Sequence, residues 1–195
     1  MEIYHTSQES MILRCRALES LAYSSDEVMN DLIRDAYYGK DERLTHSALF
    51  AMGRSADPRW QTIVMGELEN AKPEFRYEAA EACGKLELVE AVHTLGEIAQ
   101  TDPDREVRRM AIWALGQIGD VEARRIINTM WDRQAEEGEE NEFIRDALAE
   151  AQEELAFRED VLDMSFSGYD WEDERAEGDE EFDYDEDNGS DGHDY

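Results

Sequence analysis

The 195-residue sequence contains only two cysteines, Cys15 and Cys83, and both fall in largely apolar stretches with helical spacing. Cysteines placed in this way exclude a disulfide framework and a multi-cysteine zinc site, and they fit a reducing compartment such as the cytoplasm. The four histidines are scattered and have no cysteine or glutamate partner at metal-ligand spacing. We therefore predict a cytoplasmic protein with no metal and no cofactor.

Long apolar runs and basic residues are also scarce. No stretch approaches the about 18 apolar residues of a membrane span, so we expect no membrane association. The chain has 19 lysines and arginines against 50 aspartates and glutamates, a formal charge of −31. Nucleic-acid binding depends mainly on basic side chains, so no nucleic-acid partner is expected. The charge suits a basic protein partner, but it also suits general solvation in a salt-rich cytoplasm.

Prolines number only three, Pro58, Pro73 and Pro103, and each lies where an apolar pattern begins. Proline is tolerated in the first turn of a helix and disrupts a helix interior, so these residues predict helix starts. Gly119 followed by Asp120 predicts the end of one helix and the N-cap of the next.

An alanine recurs at intervals of 31, 31 and 32 residues, at Ala17, Ala48, Ala79 and Ala111. Apolar residues recur four before, one after and four after each alanine, which places them on one stripe of a helix. A second apolar helical stripe follows each first one. Helix pairs with a period near 30 residues predict an all-α fold, an α-solenoid of about four to five helical hairpins.

The repeat pattern has two further features. Gly53, Gly84 and Gly116 form a column of their own, and they suit either a helix C-cap or a close helix crossing. A looser fifth copy around Ala147 follows the polar segment 132–141, which predicts a longer loop. Its helix carries acids on one side, so we expect it to cap the stack.

Residues 104–130, reading DREVRRMAIWALGQIGDVEARRIINTM, resemble the HEAT-like repeats of the phycobilisome-lyase type. Those repeats run VR-x-x-A-x-x-ALG-x-IGD into a second helix, and residues 74–86, reading EFRYEAAEACGKL, are a second match. The resemblance covers roughly residues 10–157, although the copies nearest the N-terminus are degenerate. It implies an α-solenoid that serves as a protein–protein scaffold, and it does not carry lyase activity to this chain.

The helical periodicity disappears after about Asp163. Residues 158–195 hold 17 acidic residues and 2 arginines, and such a segment with isolated aromatics cannot form a packed core. We predict a HEAT-like solenoid over residues 1–163 and a disordered acidic tail over residues 164–195.

Six arginines crowd the best-formed repeat of this acidic chain. One interpretation is a binding site for a carboxylate- or phosphate-bearing partner, since guanidinium groups bind such anions bidentately. The other is ion pairing with neighbouring acids, with one arginine at the structural position of the family motif. Trp113 in the same repeat either fills a gap between repeats or anchors a partner. The candidate binding residues are Arg105, Arg108, Arg109, Arg124, Arg125 and Trp113.

The sequence predicts a non-catalytic scaffold or adaptor that binds a protein partner through the solenoid surface. No nucleophile elbow or acid–base pair with supporting context is present, so catalysis is not expected. The acidic tail could modulate binding by folding back on the arginines. Two alternatives stay open, a subunit of a heterodimeric chromophore-lyase-like enzyme and an acidic chaperone-like protein for a basic client.

Overall fold

The computed structural model describes residues 11–23, 26–137 and 142–166, with side chains described except at 134–137 and 160–166. Within this part of the chain every regular element is a helix, which confirms the predicted all-α class. Two short 3-10 turns, Pro58–Trp60 and Val89–Ala91, lead into the fourth and sixth helices. The α-helices are α1 Met11–Leu21, α2 Glu27–Tyr37, α3 Glu42–Arg54, α4 Gln61–Glu67, α5 Pro73–Lys85, α6 Val92–Thr101, α7 Arg105–Ile118, α8 Val121–Glu137 and α9 Glu142–Phe166.

The helices alternate between two layers. The first helices of the repeats, α1, α3, α5 and α7, pack on one another in order, and α9 completes this layer as a single helix. Each second helix packs on the first helix of the following repeat: α2 on α3, α4 on α5, α6 on α7 and α8 on α9. The predicted stack of helical hairpins is confirmed, as four repeats followed by the capping helix α9.

The alanine column lies where neighbouring helices pack. Ala48, Ala79 and Ala111 are completely buried, and Ala147 is 5% exposed. Ala17 in the first repeat is only partly buried. The small side chain lets successive first helices approach closely, so the column is a packing feature.

The glycine column marks helix crossings, which resolves the choice that the sequence left open. A Cβ atom at Gly53 would lie 2.8 Å from the Cα of Ala82, and one at Gly84 would lie 2.9 Å from the Cα of Ala114. A Cβ at Gly116 would lie 3.2 Å from a backbone atom of α9. Each glycine therefore allows backbone contact with the next first helix.

Aspartates begin several helices. Asp104 Oδ1 accepts a hydrogen bond of 2.8 Å from the backbone N–H of Glu106, so it is the N-cap of α7. Pro103 therefore lies outside the helix, not in its first turn. Asp120 accepts from the N–H of Ala123 at 2.7 Å, as the Gly119-Asp120 pair predicts.

The repeat junctions are tied by side chains at one repeat position, Thr45, Arg76 and Arg108. Arg76 makes a bidentate ion pair with the buried carboxylate of Asp102, at 2.7 and 2.9 Å. Arg108 Nη1 donates to the backbone carbonyl of the same aspartate at 2.9 Å. Thr45 Oγ1 donates to the carbonyl of Tyr37 at 3.3 Å. Arg108 and Thr45 therefore tie their helices to the segment that precedes them. Arg76 does the same through the carbonyl of Asn70, at 2.9 Å, and its ion pair also joins α5 to the loop before α7.

Some details differ from the sequence pattern. The apolar side chains of Val28 and Val89 are 50% and 53% exposed, because each lies in the first turn of its element. Helix α9 continues to Phe166, past the predicted end of the solenoid at residue 163. The predicted tail beyond it, residues 167–195, lies outside the described residues. In the described part, none of the helices combines the length and apolarity that crossing a bilayer requires.

Candidate functional site

The first-helix face is the solvent side of the layer formed by α1, α3, α5, α7 and α9. Two sets of equivalent repeat positions line the grooves between neighbouring helices on this face. The sets are Ile12, Arg43, Glu74 and Glu106, and Cys15, His46, Tyr77 and Arg109. Because the same positions recur in each repeat, the grooves follow one another along the stack.

The first groove lies where α1, α3 and the start of α5 meet, and its volume is 740 Å³. Its charged side chains pair with one another: Arg16 lies 3.3 Å from Glu19, and Arg43 lies 3.1 Å from Asp41. Ser47 Oγ donates to a Glu19 carboxylate oxygen at 2.8 Å. This groove therefore carries no single sign of charge.

The second groove lies between α3, α5 and the start of α7, and its volume is 380 Å³. Its lining is rich in carboxylates and includes no lysine or arginine among the described side chains. The residues that line it are His46, Pro73, Glu74, Tyr77, Glu78, Asp104, Glu106 and Val107. It joins the first groove, because His46 and Glu74 line both.

Glu78 lies at the base of the second groove and is only 6% exposed. The nearest basic side chain is that of His46, whose Nε2 lies 3.7 Å from a Glu78 oxygen. Burial raises the pKa of Glu78 to about 7, and repulsion from Glu81 adds to the effect. An ionised carboxylate is unfavourable in such a place unless a cation accompanies it.

The third groove, of 190 Å³, lies between α7 and α9. Arg109 and Trp113 line it from α7, and Glu150 and Glu154 line it from α9. Trp113 is half-buried, and its ring lies 2.8 Å from the place that a Cβ at Gly84 would occupy. The tryptophan therefore fills the gap between repeats with one edge and faces a groove with another.

The structure brings three of the six candidate residues together. Arg105, Arg109 and Trp113 follow one another at four-residue spacing, so they lie on one stripe of α7. The Arg105 guanidinium lies over the Phe143 ring, 5.0 Å from its centre, and Arg109 Nε lies 3.4 Å from a Glu106 oxygen. These three side chains are part of the first-helix face.

The other three candidates lie elsewhere. Arg108 points to the repeat junction, as described above. Arg124 Nε donates to the carbonyl of Gly119 at 3.0 Å, and the guanidinium also pairs with Glu159. Arg125 pairs with Glu122 on α8 at 2.8 Å. Arg124 and Arg125 lie near the start of α8, beyond the C-terminal end of α7, whereas Arg105 begins α7 about 20 Å away along the helix. The arginines therefore form no single cluster.

Cys83 on α5 is not available as a nucleophile at this face. Cys83 is completely buried, and burial raises the pKa of its thiol to about 12, which keeps it unreactive near neutral pH. Among the described residues, no three His, Cys, Asp or Glu side chains are grouped closely enough to hold a metal ion. Grooves with aromatic walls and charged rims are suited to side chains of a partner.

Glu78 and its groove are absent from the sequence-based candidates. The signal was present in the repeat register, because the residue before each column alanine is Arg16, Ser47, Glu78 or Met110. The buried members of that position are Ser47, Glu78 and Met110. A glutamate at a position that is buried in the neighbouring repeats indicates a buried carboxylate.

Comparison with known families agrees with the geometry. A family model described as HEAT repeats matches residues 31–116 and again residues 64–151. The matches together span more than half of the chain, whereas the lyase-type detail of the resemblance rests on the sequence motif alone. Among curated proteins, none matches the chain significantly. Its repeat period, its two helical layers and the family match show that the chain belongs to the HEAT-repeat family.

Proposed function

We propose that this protein is a non-catalytic scaffold that binds a protein partner through the first-helix face. One observation carries the proposal: equivalent positions of successive repeats form a row of grooves along this face. HEAT repeats generally mediate protein–protein interaction, and an extended row of grooves suits an extended partner segment.

Arg105, Arg109 and Trp113 are the contact residues that we assign on this face. They share one stripe of α7. Tryptophan and arginine are the residue types that carry most of the binding energy in many interfaces. The pairs that Arg105 and Arg109 make within the chain are exposed and solvent-screened, so a partner carboxylate can replace Glu106 at little cost.

The acidic C-terminal segment is the modulator in this proposal. Residues 167–195, which follow α9, carry 14 acidic residues and one arginine, so their charge complements that of Arg105 and Arg109. Tethering gives the segment a high effective concentration near the first-helix face. Salt weakens the electrostatic attraction between the segment and the arginines. Competition between this segment and the partner would then set the apparent affinity.

The test is a capture experiment with immobilised full-length protein and mass spectrometry of what it retains. The double variant Arg105→Glu and Arg109→Glu should lose partners that the wild type retains. Arg125→Glu on α8 is the matched control, since it reverses an exposed arginine outside the first-helix face. Equal capture by all three proteins would exclude this face as the binding surface.

The role of the acidic segment is tested by a chain that ends at residue 166. If the segment competes, the shortened chain binds the captured partner more tightly at low salt, and the difference disappears at high salt. Equal affinity and equal salt dependence of the two chains would remove the segment from the proposal.

A further inference from the structure

Glu78 is a buried carboxylate without a hydrogen bond. Its side chain is 8% exposed, and no described residue donates a hydrogen bond to it. The closest basic side chain is that of His46, and its Nε2 lies 3.7 Å away, which is beyond hydrogen-bonding distance. Buried polar groups are satisfied in most proteins. The Glu78 oxygens keep some contact with solvent through the groove, so a hydrogen-bond partner can reach them from there.

The charges around Glu78 do not supply that partner. Glu81 on α5 and Glu19 on α1 raise its pKa further, while Lys85 and Arg54 lower it. Lys85 is engaged with Glu81 and with the Phe50 ring, 5.3 Å from its centre. Burial and the two acids prevail, so the pKa stays near 7.

The other carboxylates of the second groove differ in their availability. Asp104 accepts hydrogen bonds from the first turn of α7, and Glu106 pairs with Arg109 at 3.4 Å. Glu74 on the rim is exposed and makes no ion pair within the described residues. Glu74 and Glu78 are four residues apart, so they face the same side of α5.

The shape of the groove selects the kind of cation. In the part of the chain that the structure describes, no three His, Cys, Asp or Glu side chains lie close enough together to hold a metal ion. The groove has room for a longer cation, with a volume of 380 Å³ and with Tyr77, Pro73 and Val107 among its walls. An aromatic face and an aliphatic wall suit the stem and head of a basic side chain.

We propose that the second groove binds a lysine or arginine side chain of the protein partner. The cationic head lies between the carboxylates of Glu78 and Glu74, and the aliphatic stem packs against Tyr77 and Val107. This inference rests on the proposed scaffold function, and it adds a basic side chain of the partner at the second groove to the carboxylate that Arg105 and Arg109 would bind.

Calorimetric titration of the full-length protein tests the inference. The probe is a short glycine-rich peptide with two arginines and one lysine, and its neutral twin carries citrulline and acetyl-lysine instead. We expect the basic peptide to bind and Glu78→Gln to weaken it about tenfold, the scale of one charge-assisted contact. Glu74→Gln should weaken it less, since the rim carboxylate is exposed.

The matched control is Glu90→Gln, which removes the same charge at an exposed site on the Val89–Ala91 turn. It should change the affinity less than twofold. Equal affinities of the Glu78→Gln and Glu90→Gln variants would overturn the proposal, because binding would then depend only on net charge. Spermidine serves as a second probe. If it binds wild type and every variant as tightly as the peptide does, the proposal is overturned for the same reason.

Proton release is a second readout that does not depend on affinity. A cation beside Glu78 expels the proton that the buried carboxyl partly retains near pH 7. Titrations in two buffers of different ionisation enthalpy should show proton release with wild type and none with Glu78→Gln. Absence of release with wild type would overturn the proposal, whereas the capture experiment tests the scaffold function separately. Circular dichroism confirms that each variant is folded.

Discussion

At the scale of single residues, one repeat position adopts the left-handed backbone conformation. Ala56, Glu87 and Gly119 have φ values of 51°, 50° and 60°, and they lie 31 and 32 residues apart. This position ends each first helix and turns the chain towards the second. Only the last repeat has glycine there, so the other two bear a steric cost of about 1 kcal/mol each.

We expect Gly119→Ala to lower the free energy of unfolding by about 1 to 2 kcal/mol. The reason is the left-handed conformation, and the new Cβ would also lie 3.3 Å from Leu155 Cδ2. Ala56→Gly at the equivalent position should leave stability unchanged or raise it by up to about 1 kcal/mol. Urea unfolding measures the free energy of unfolding of both variants. A lower value for Ala56→Gly than for wild type would contradict the explanation.

The buried carboxyl of Glu78 predicts a specific pH dependence. Its pKa is about 7 in the folded protein, above the ordinary value of 4.5, so the folded chain holds a proton that the unfolded chain releases in this interval. The free energy of unfolding therefore falls as the pH rises through that range. The Glu78→Gln variant has no such carboxyl, so its free energy of unfolding does not fall for this reason. Relative to wild type, its free energy of unfolding should rise by up to about 3 kcal/mol between pH 4.5 and pH 8.

Urea unfolding of both proteins at the two pH values gives the difference, and the exposed Glu90→Gln variant is the control. The many other acids change both proteins alike, so only the difference between variants is diagnostic. A difference that is independent of pH would show that Glu78 is not perturbed by burial.

At the scale of helices, glycine sets the distance between repeats. The crossing at Gly84 leaves no room for a side chain, because a Cβ would meet Trp113 and Ala114 at 2.8 and 2.9 Å. Gly66 in α4 is different, since no other atom lies within 4 Å of a Cβ placed there. The two glycines have the same chemistry but different surroundings.

We expect Gly84→Ala to destabilise the protein by about 1 to 3 kcal/mol, since overpacking forces α5 and α7 apart. Gly66→Ala is the matched variant, and it should be neutral or stabilising by up to about 1 kcal/mol because alanine favours the helix. Thermal melts compare the two variants. Equal changes in melting temperature would mean that the crossing tolerates a methyl group.

At the scale of the whole molecule, the stack depends on its ends. Each described helix of the first layer packs mainly on its neighbours, and α9 covers one side of α7 and α8. Its buried side chains include Ile144, Leu148 and Leu155. Burial of three such residues contributes on the order of 5 kcal/mol, which is comparable to the whole stability of many domains.

A chain that ends at Arg133 should therefore be largely unfolded or aggregated at ambient temperature. A chain that ends at residue 166 keeps every described core residue and should melt cooperatively, close to the full-length protein. Circular dichroism melts of the three chains distinguish these outcomes. Cooperative melting of the shorter chain would show that α9 is dispensable as a cap.

Repeat period and local chemistry were readable in the sequence because they depend on neighbours along the chain. The alanine column, the helix pairs and the stop at Gly119 follow from apolar spacing and backbone preference, and the structure has them. The period also placed Arg105, Arg109 and Trp113 in one repeat. Their common stripe follows from helix geometry alone.

Tertiary packing decided the features that depend on contacts between repeats. It made the glycine column a set of helix crossings, and it directed Arg108 and Arg124 to backbone carbonyls instead of a shared site. It also buried Glu78, because burial depends on how closely α3, α5 and α7 approach. The apolar period determined the architecture from the sequence. Packing between repeats, which needs neighbours in space, decided where the grooves lie and which side chains lose their water.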